Sequence, residues 1–312
     1  MQMVTRVATT ADTPIIQRIV DAYQLSFDAN EKRLGEAEAH ELIEGFFEPA
    51  TTLLCRQGSS VDWDSFISLH PDENRERFYL DLYFLPDCTN LDDLFSLALS
   101  IARDLHPQWR LWLGVHRKDE RYREMLERRG FSILRKYWLM EVELEGIESA
   151  PLPEDLHLEE LNLLDDQRRH DFWRVHQDAF SGHFGFKARE FENWSEFLLR
   201  NVENMKTRVW LLTSGTEPVG FVECTEELLH EETAYVAGLG VRQQFQGRGY
   251  GEALLRFAIR HESDLGRKKL ALNVDTGNES GALRLYEKVG MKPISEWHQY
   301  ENLDWAQEGK SL

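Results

Sequence analysis

The stretch Leu239-Gly240-Val241-Arg242-Gln243-Gln244-Phe245-Gln246-Gly247-Arg248-Gly249-Tyr250-Gly251-Glu252 limits what this chain can become. An apolar run, residues 234–241, leads into it, and a helix-patterned run, residues 252–259, leads out. Strand, glycine-rich turn and helix together make an anion cradle. The glycines let backbone approach the anion, and the free N–H groups of the helix start point at it with the positive end of the dipole. Two nucleotide motifs of similar appearance do not fit. A P-loop requires Gly-Lys-Ser/Thr after its glycines, and none follows. A dinucleotide fingerprint requires Gly-x-Gly-x-x-Gly after the first strand of a domain. Here Gly247-x-Gly249-x-Gly251 follows a meander of strands.

Around this stretch the chain reads as two similar halves. Periodicity and turn residues predict strands at 6–8, 51–56, 61–69, 77–85, 109–115 and 131–144, with helices at 12–25, 31–47, 91–105 and 120–129. The second half repeats the order. Its strands fall at 156–160, 208–213, 218–226, 233–241, 269–274 and 293–303, and its helices at 164–180, 189–200, 251–265 and 280–289. Glu127-Arg128-Arg129-Gly130-Phe131 matches Glu287-Lys288-Val289-Gly290-Met291, and Val115 and Val274 both end a strand before a polar loop. The repeated order predicts an internal duplication. The aperiodic segment Glu145-Gly146-Ile147-Glu148-Ser149-Ala150-Pro151-Leu152-Pro153 predicts the boundary, giving domains 1–147 and 148–312.

Composition narrows the partners. A chain of 312 residues suits two domains of about 150 each. The net charge of −19 opposes a phosphate backbone, so no nucleic-acid partner is expected, while an acidic surface mildly favours cationic substrates such as amines. No apolar run reaches the roughly 18 to 20 residues that span a bilayer, so no membrane partner is expected either. The first residues lack the apolar core of a signal peptide. Cys55, Cys88 and Cys224 are far apart, odd in number and without metal-ligand spacing. These features predict a cytoplasmic protein without a metal. Oligomeric state is not legible.

Gln246-Gly247-Arg248-Gly249-Tyr250-Gly251 resembles the Gln/Arg-x-x-Gly-x-Gly/Ala turn of the GCN5-related N-acetyltransferases (GNAT), which binds the pyrophosphate of acetyl-CoA. Gly238-Leu239-Gly240-Val241-Arg242 resembles the family's splayed strand. Residues 273–291, from Asn273 through Asn278, Ala282-Leu283-Arg284-Leu285-Tyr286 and Gly290-Met291, resemble its second signature. The resemblance implies an α/β (α+β) fold of two tandem domains, each a mostly antiparallel mixed sheet flanked by helices, with acetyl-CoA as cosubstrate. The tandem arrangement is also similar to that of the mycothiol synthases. It departs from them at Gly182-His183-Phe184-Gly185-Phe186, where they carry a His-His-Pro-Glu-Gln-Gly-type segment. It departs again in strand 233–241, which holds Tyr235 and no carboxylate. The architecture carries over, and the substrate does not.

By the same resemblance, Leu239, Gly240 and Val241 would hold the pantetheine arm through backbone groups. Gln246, Gly247, Arg248, Gly249, Tyr250 and Gly251 would hold the pyrophosphate. Arg248 either pairs with phosphate or is a solvated turn residue. Asn278 either contacts the cofactor arm or caps the helix after it. Tyr286 sits where the family's general acid sits, or is a core aromatic. Acetyl transfer to an amine also needs a base, because the amine must attack in its neutral form. Glu223 and Glu226 are the candidates, on opposite faces of their strand. His183 either shapes the acceptor pocket or is a surface loop residue.

In the first half, Pro86-Asp87-Cys88-Thr89-Asn90-Leu91-Asp92-Asp93 occupies the place of the turn, without glycine and with three aspartates. Leu126 falls at the place of Tyr286 and Lys118 at that of Asn278. This half is expected to keep the fold without a working cofactor site. The expected function is acetyl transfer from acetyl-CoA to a primary amine of a small molecule. Transfer to a protein or peptide amine, and a non-catalytic acyl-CoA-binding regulator, stand as alternatives.

Overall fold

The computed structural model describes residues 3–29, 31–45, 48–58, 61–146, 155–278 and 281–305. Its packing divides the chain into two units. One comprises Met1–Tyr137 with Glu296–Leu312, and the other Trp138–Ser295.

In the first unit, β1 (Met3–Val7), β2 (Thr51–Gln57), β3 (Ser65–Asp72) and β4 (Arg77–Phe84) pair antiparallel in sequence order. β5 (Arg110–His116) then runs parallel to β4. The next strand is the end of the chain: Trp297–Glu301 of β12 (Lys292–Glu301) pair antiparallel with β5. Helices α1 (Thr13–Leu25) and α2 (Glu36–Glu44) cover one face, through Ile16, Ile19, Ala39 and Leu42 on Leu54 and Phe66. Helices α3 (Leu91–Leu105) and α4 (Glu120–Arg128) cover the other, through Phe95, Ala98, Tyr122 and Leu126 on Leu80, Leu82 and Leu113.

The second unit repeats this order with β7 (Leu156–Glu160), α5 (Asp166–Phe180), α6 (Phe191–Asn204), β8 (Arg208–Ser214), β9 (Glu217–Thr225), β10 (Thr233–Val241), α7 (Tyr250–Asp264), β11 (Lys269–Asp275) and α8 (Ala282–Lys288). Strands β7 to β10 pair antiparallel, and β10 and β11 pair parallel. β6 (Ser132–Glu143) lies beyond β11 in the strand order. Phe172, Trp194 and Leu198 of α5 and α6 pack on the face carrying Leu211 and Phe221. Leu254, Leu255, Ala258 and Tyr286 of α7 and α8 pack on the face carrying Leu212, Val222 and Val236.

The α/β fold with mostly antiparallel mixed sheets flanked by helices is therefore as expected. The domain bounds differ from expectation. The segment around residue 148 lies outside the described residues in part (147–154), and compactness divides the chain earlier, within β6, and again within β12. The last strand from Glu296 onward thus belongs with the first unit. Tyr300 is fully buried in the first core, and Trp305 is 4% exposed there. Periodicity cannot reveal this, because it reports a strand and not its neighbour.

Two elements also shift. Residues 31–35 do not join α2. Glu38 turns back to accept from the Gly35 N–H at 2.8 Å and closes the helix start, while the Glu31 carboxylate lies 3.0 Å from His116 Nε2. β3 starts at Ser65 and not at Val61, which is 90% exposed. No helix among the described residues is long and apolar enough to cross a membrane.

Replacing Tyr300 with Ala should cost about 3–5 kcal/mol, the usual range for emptying a buried aromatic site. Hydrogen exchange should show the loss in residues 3–137 and leave protection in α7 and β9 unchanged. Loss confined to the second unit would contradict the strand assignment.

Candidate active site

The site begins where two strands part. β10 and β11 pair at Thr233, Ala234 and Tyr235 against Lys269, Leu270 and Ala271, and pairing ends there, although β10 continues to Val241 and β11 to Asp275. The other edge of β10 stays paired to β9. Arg242 N–H donates to Val219 O at 2.9 Å, and Val241 stands opposite Gly220. Alternate residues of an antiparallel ladder face the partner strand. Gly240 therefore directs its N–H and C=O to β9, and Leu239 and Val241 direct theirs into the opening. Gln246 Nε2 donates to Val241 O there at 3.1 Å.

At the end of β10 the chain turns through a short 3-10 segment, Gln243–Phe245, into α7. Gly247 and Gly249 take the left-handed conformation (φ +75° and +84°), and a side chain on either would meet only open space. Gly249 stands just before α7, and no side chain caps the helix start. The orphan N–H groups of its first turn are thus available to an anion. The one acid of that turn, Glu252, is neutralised by Lys288 Nζ at 2.6 Å and Arg256 Nε at 3.0 Å, which hold its carboxyl below the usual range. Arg242 anchors the turn to α5 through Asp178 at 2.7 Å and to β9 through Glu217 at 3.1 Å. Arg248 folds back over the Phe245 ring at 5.3 Å and donates to Gln244 O at 3.3 Å. Gly251 packs inward, with Leu285 Cδ2 3.3 Å from where a Cβ would lie. Tyr250 is half-buried beside it.

A bulge sets the middle of the site. The β9–β10 register shifts between Val236 and Gly238, leaving Ala237 exposed as the extra residue. Directly after it, Gly238 stands opposite Glu223. A Cβ on Gly238 would lie 3.0 Å from Glu223 Oε2 and 3.0 Å from the Phe221 ring, and one on Gly240 would lie 2.6 Å from that ring and 2.9 Å from Ala179 Cβ. Two glycines therefore make room for the Glu223 carboxylate and the Phe221 ring beneath α5. Glu223 makes no hydrogen bond or ion pair among the described residues, and burial alone pushes its carboxyl up to about 7.

The other candidates separate clearly. Glu226 follows the end of β9, level with the paired stretch of β10 and β11, and is engaged by Arg267 at 3.0 Å, away from the parting. Tyr286 packs against the opposite sheet face from Glu223, 8% exposed; burial pushes its phenol up to about 12, and its hydroxyl makes no hydrogen bond among the described residues. Asn278 follows β11, with its N–H on Asp275 O at 3.1 Å. The residue preceding α8 is Gly281, so Asn278 is not the cap of that helix. His183 stacks edge-on against Phe180 at 4.6 Å. Burial lowers its pKa, and the charge of the Asp275 carboxylate partly offsets this.

Sequence reasoning missed His176. It stacks on Phe221 at 5.5 Å and touches Phe180 at 4.7 Å, and burial depresses its pKa to about 3, which keeps it neutral. The recurrence of Phe172, His176 and Phe180 at every fourth residue of α5 was the available signal.

Comparison with known proteins agrees with this geometry. Residues 166–291 match the model of the Acetyltransferase (GNAT) family. The mycothiol acetyltransferase of Corynebacterium efficiens is 33% identical over 30% of this chain and 30% of its own length. An uncharacterized N-acetyltransferase of Methanocaldococcus jannaschii is 27% identical over 39% of this chain and 55% of its own. These matches span well under two thirds of those relatives. Among solved structures, a GCN5-related N-acetyltransferase from Sphaerobacter thermophilus superposes with a TM-score of 0.74 at 18% identity, covering 96% of this chain and 95% of its own. A tandem GNAT protein from the clavulanic acid biosynthesis pathway superposes with a TM-score of 0.73 at 12% identity, covering 96% and 98%. At such identities the structures establish the tandem GNAT fold.

The raised Glu223 pKa has a consequence for stability. In the unfolded chain this carboxyl titrates near the usual ~4.3. Between there and about 7 the unfolded state has lost the proton that the folded state keeps, so folding weakens as pH rises through that window. Glu223→Gln should remove this slope and raise the denaturation midpoint relative to wild type above pH ~7, by about 2 kcal/mol after allowance for residual solvent access. Identical slopes in both proteins would contradict a buried, unpartnered carboxyl.

Proposed function

We propose that the second unit transfers an acetyl group from acetyl-CoA to the primary amine of a small molecule. The observation that carries this reading is the pairing of an anion cradle with a desolvated, unpartnered carboxylate at one parting of strands. The cradle suits a pyrophosphate: Gly247 and Gly249 present bare backbone, the α7 start presents N–H groups, and Glu252 is already neutralised. Leu239 and Val241 would hold the pantetheine arm, and Asn278 would contact it nearer the thiol. Bound acetyl-CoA supplies an activated thioester carbonyl.

The chain's residues divide the remaining work. Glu223, with a pKa near 7, takes the proton from an ammonium ion and leaves a neutral amine to attack. Backbone N–H groups of the β10 edge donate to developing negative charge on the carbonyl oxygen. Tyr286 gives its proton toward the departing sulfur. Its hydroxyl has no competing protein partner, and a phenol proton is retained until the thiolate forms. His176, His183 and Phe180 form the aromatic wall on the side of Glu223, where the amine would enter. Arg248 would swing from Phe245 to a phosphate. The first unit, with Asp87, Asp92 and Asp93 where the glycines stand in the second, is read as holding no cofactor. The aromatic wall, the acidic surface and the mycothiol acetyltransferase likeness support a small acceptor.

Thiol release from acetyl-CoA across a panel of amines tests the reading. Tyr286→Phe should lower kcat by about 10²-fold or more with little change in KM, as expected for loss of a positioned acid. The log kcat/KM profile should rise through about pH 7 in wild type and lose that limb in Glu223→Gln, while Glu226→Gln keeps it. Unchanged turnover in Tyr286→Phe, or an unchanged limb in Glu223→Gln, would overturn the corresponding assignment.

A further inference from the structure

The first unit carries a recess that the reading above does not use. β4 and β5 pair parallel from Arg77 and Arg110 to Leu80 and Leu113 and then part, as β10 and β11 do. On one side the gap is closed by Tyr122, which packs on Phe84 at 5.9 Å, and Tyr23 of α1 reaches past Tyr83 to donate to Asp119 Oδ2 at 2.8 Å in a buried bond. The sheet face turned toward α1 and α2 is different.

The first residues past the last pair on that face are Asp81 of β4 and Gly114 of β5. Opposite Gly114, in register on β12, stands Gln299. The pleat puts all three on one face. Gly114 is exposed although its strand is flanked on both sides, and a Cβ built on it would meet only Trp297 Cε3, at 3.9 Å.

Polar groups around this bare backbone keep acceptor oxygens without hydrogen-bond partners among the described residues. Gln299 is 7% exposed, and its Oε1 is sealed without a hydrogen bond. Such an unmet buried acceptor costs about 1–3 kcal/mol. Asp81 Oδ2 lies 3.1 Å from Nε2 of buried His70, and its other oxygen has no hydrogen-bond partner among the described residues. The Tyr83 hydroxyl, also without one, feels both Asp81 and Glu38 beside it. Two cations of the same face are already engaged: Arg77 lies on the Trp112 ring at 3.7 Å and is matched by Asp72 at 3.2 Å, and Arg110 is matched by Glu301 at 2.6 Å.

We infer that this recess, built by Asp81, Gly114, Tyr83, Gln299 and Trp297, binds a small organic ammonium ion. The carboxylate and the two neutral oxygens accept its N–H groups. The Trp297 ring offers a π face to the charge. Gly114 supplies the depth, because any side chain there would fill it. The inference stands without the catalytic reading of the second unit.

Calorimetric titration of the full chain, without acetyl-CoA, tests it. The probes are ethanolamine, cadaverine and phenethylamine, each against its neutral counterpart: ethylene glycol, pentanediol and phenethyl alcohol. At least one amine should bind saturably where its alcohol does not. Asp81→Asn should weaken that binding about tenfold or more. Gly114→Leu should abolish it. The Asp81-dependent heat should persist in Glu223→Gln, which separates it from amine binding in the second unit. Hydrogen exchange checks that each variant is folded, and if Gly114→Leu is not, Asp81→Asn decides. The inference is overturned if no amine outbinds its alcohol, if affinity is unchanged in the folded first-unit variants, or if the heat disappears with Glu223→Gln.

Discussion

A β-strand directs every second backbone amide at its neighbour, and at Leu239 and Val241 that neighbour has turned away. Unpaired N–H and C=O groups inside a protein require another partner. The rest of the second unit can be understood from this one requirement. The glycines of the following turn, the uncapped start of α7 and the outward-held Glu252 all continue the same line of open donors. An extended ligand with amide groups and an anionic end would satisfy that line from Leu239 to Gly251. The bulge at Ala237 belongs to the same design. It lets β10 bend from β11 while β9 remains attached, and it sets Gly238 against Glu223.

The first unit has the parting without the other features. Its β3–β4 register runs from Ser65 and Phe84 to Asp72 and Arg77 without a shift, and Tyr83 stands opposite Phe66 where Gly240 stands opposite Phe221 in the second. A ring in place of a hydrogen atom leaves no room for a buried carboxylate beside it. The α3 start carries Asp92 and Asp93, which would repel an anion. The two units therefore share topology and differ in the few positions that decide what the gap admits.

Much of this was legible in the sequence. Leu91–Leu105, Leu156–Glu160 and Thr233–Val241 form as their periodicity predicts, since burial on one face requires a matching repeat. The turn was legible because only glycine takes φ near +80° without strain. What was hidden depends on distant partners. Glu31 leaves the helix pattern for a histidine on β5. Glu223 and Glu226 look alike in sequence, and only the Gly238 contact and the Arg267 ion pair tell them apart. The bulge was hidden as well, because one extra residue in an apolar run leaves no composition signal. His176 fell unremarked within the helix predicted at 164–180, and its meaning comes from Phe221 on another element.

The last strand has a consequence for how the chain is made. Tyr300 and Trp305 complete the first core, yet they are synthesised after the whole second unit. While the ribosome works through residues 138–295, β5 waits with one edge unpaired, an open template for any other strand. The second unit's own residues end at Ser295. The half that emerges first is thus the half that matures last, and a chain stalled before Trp297 would leave the older domain with an open edge.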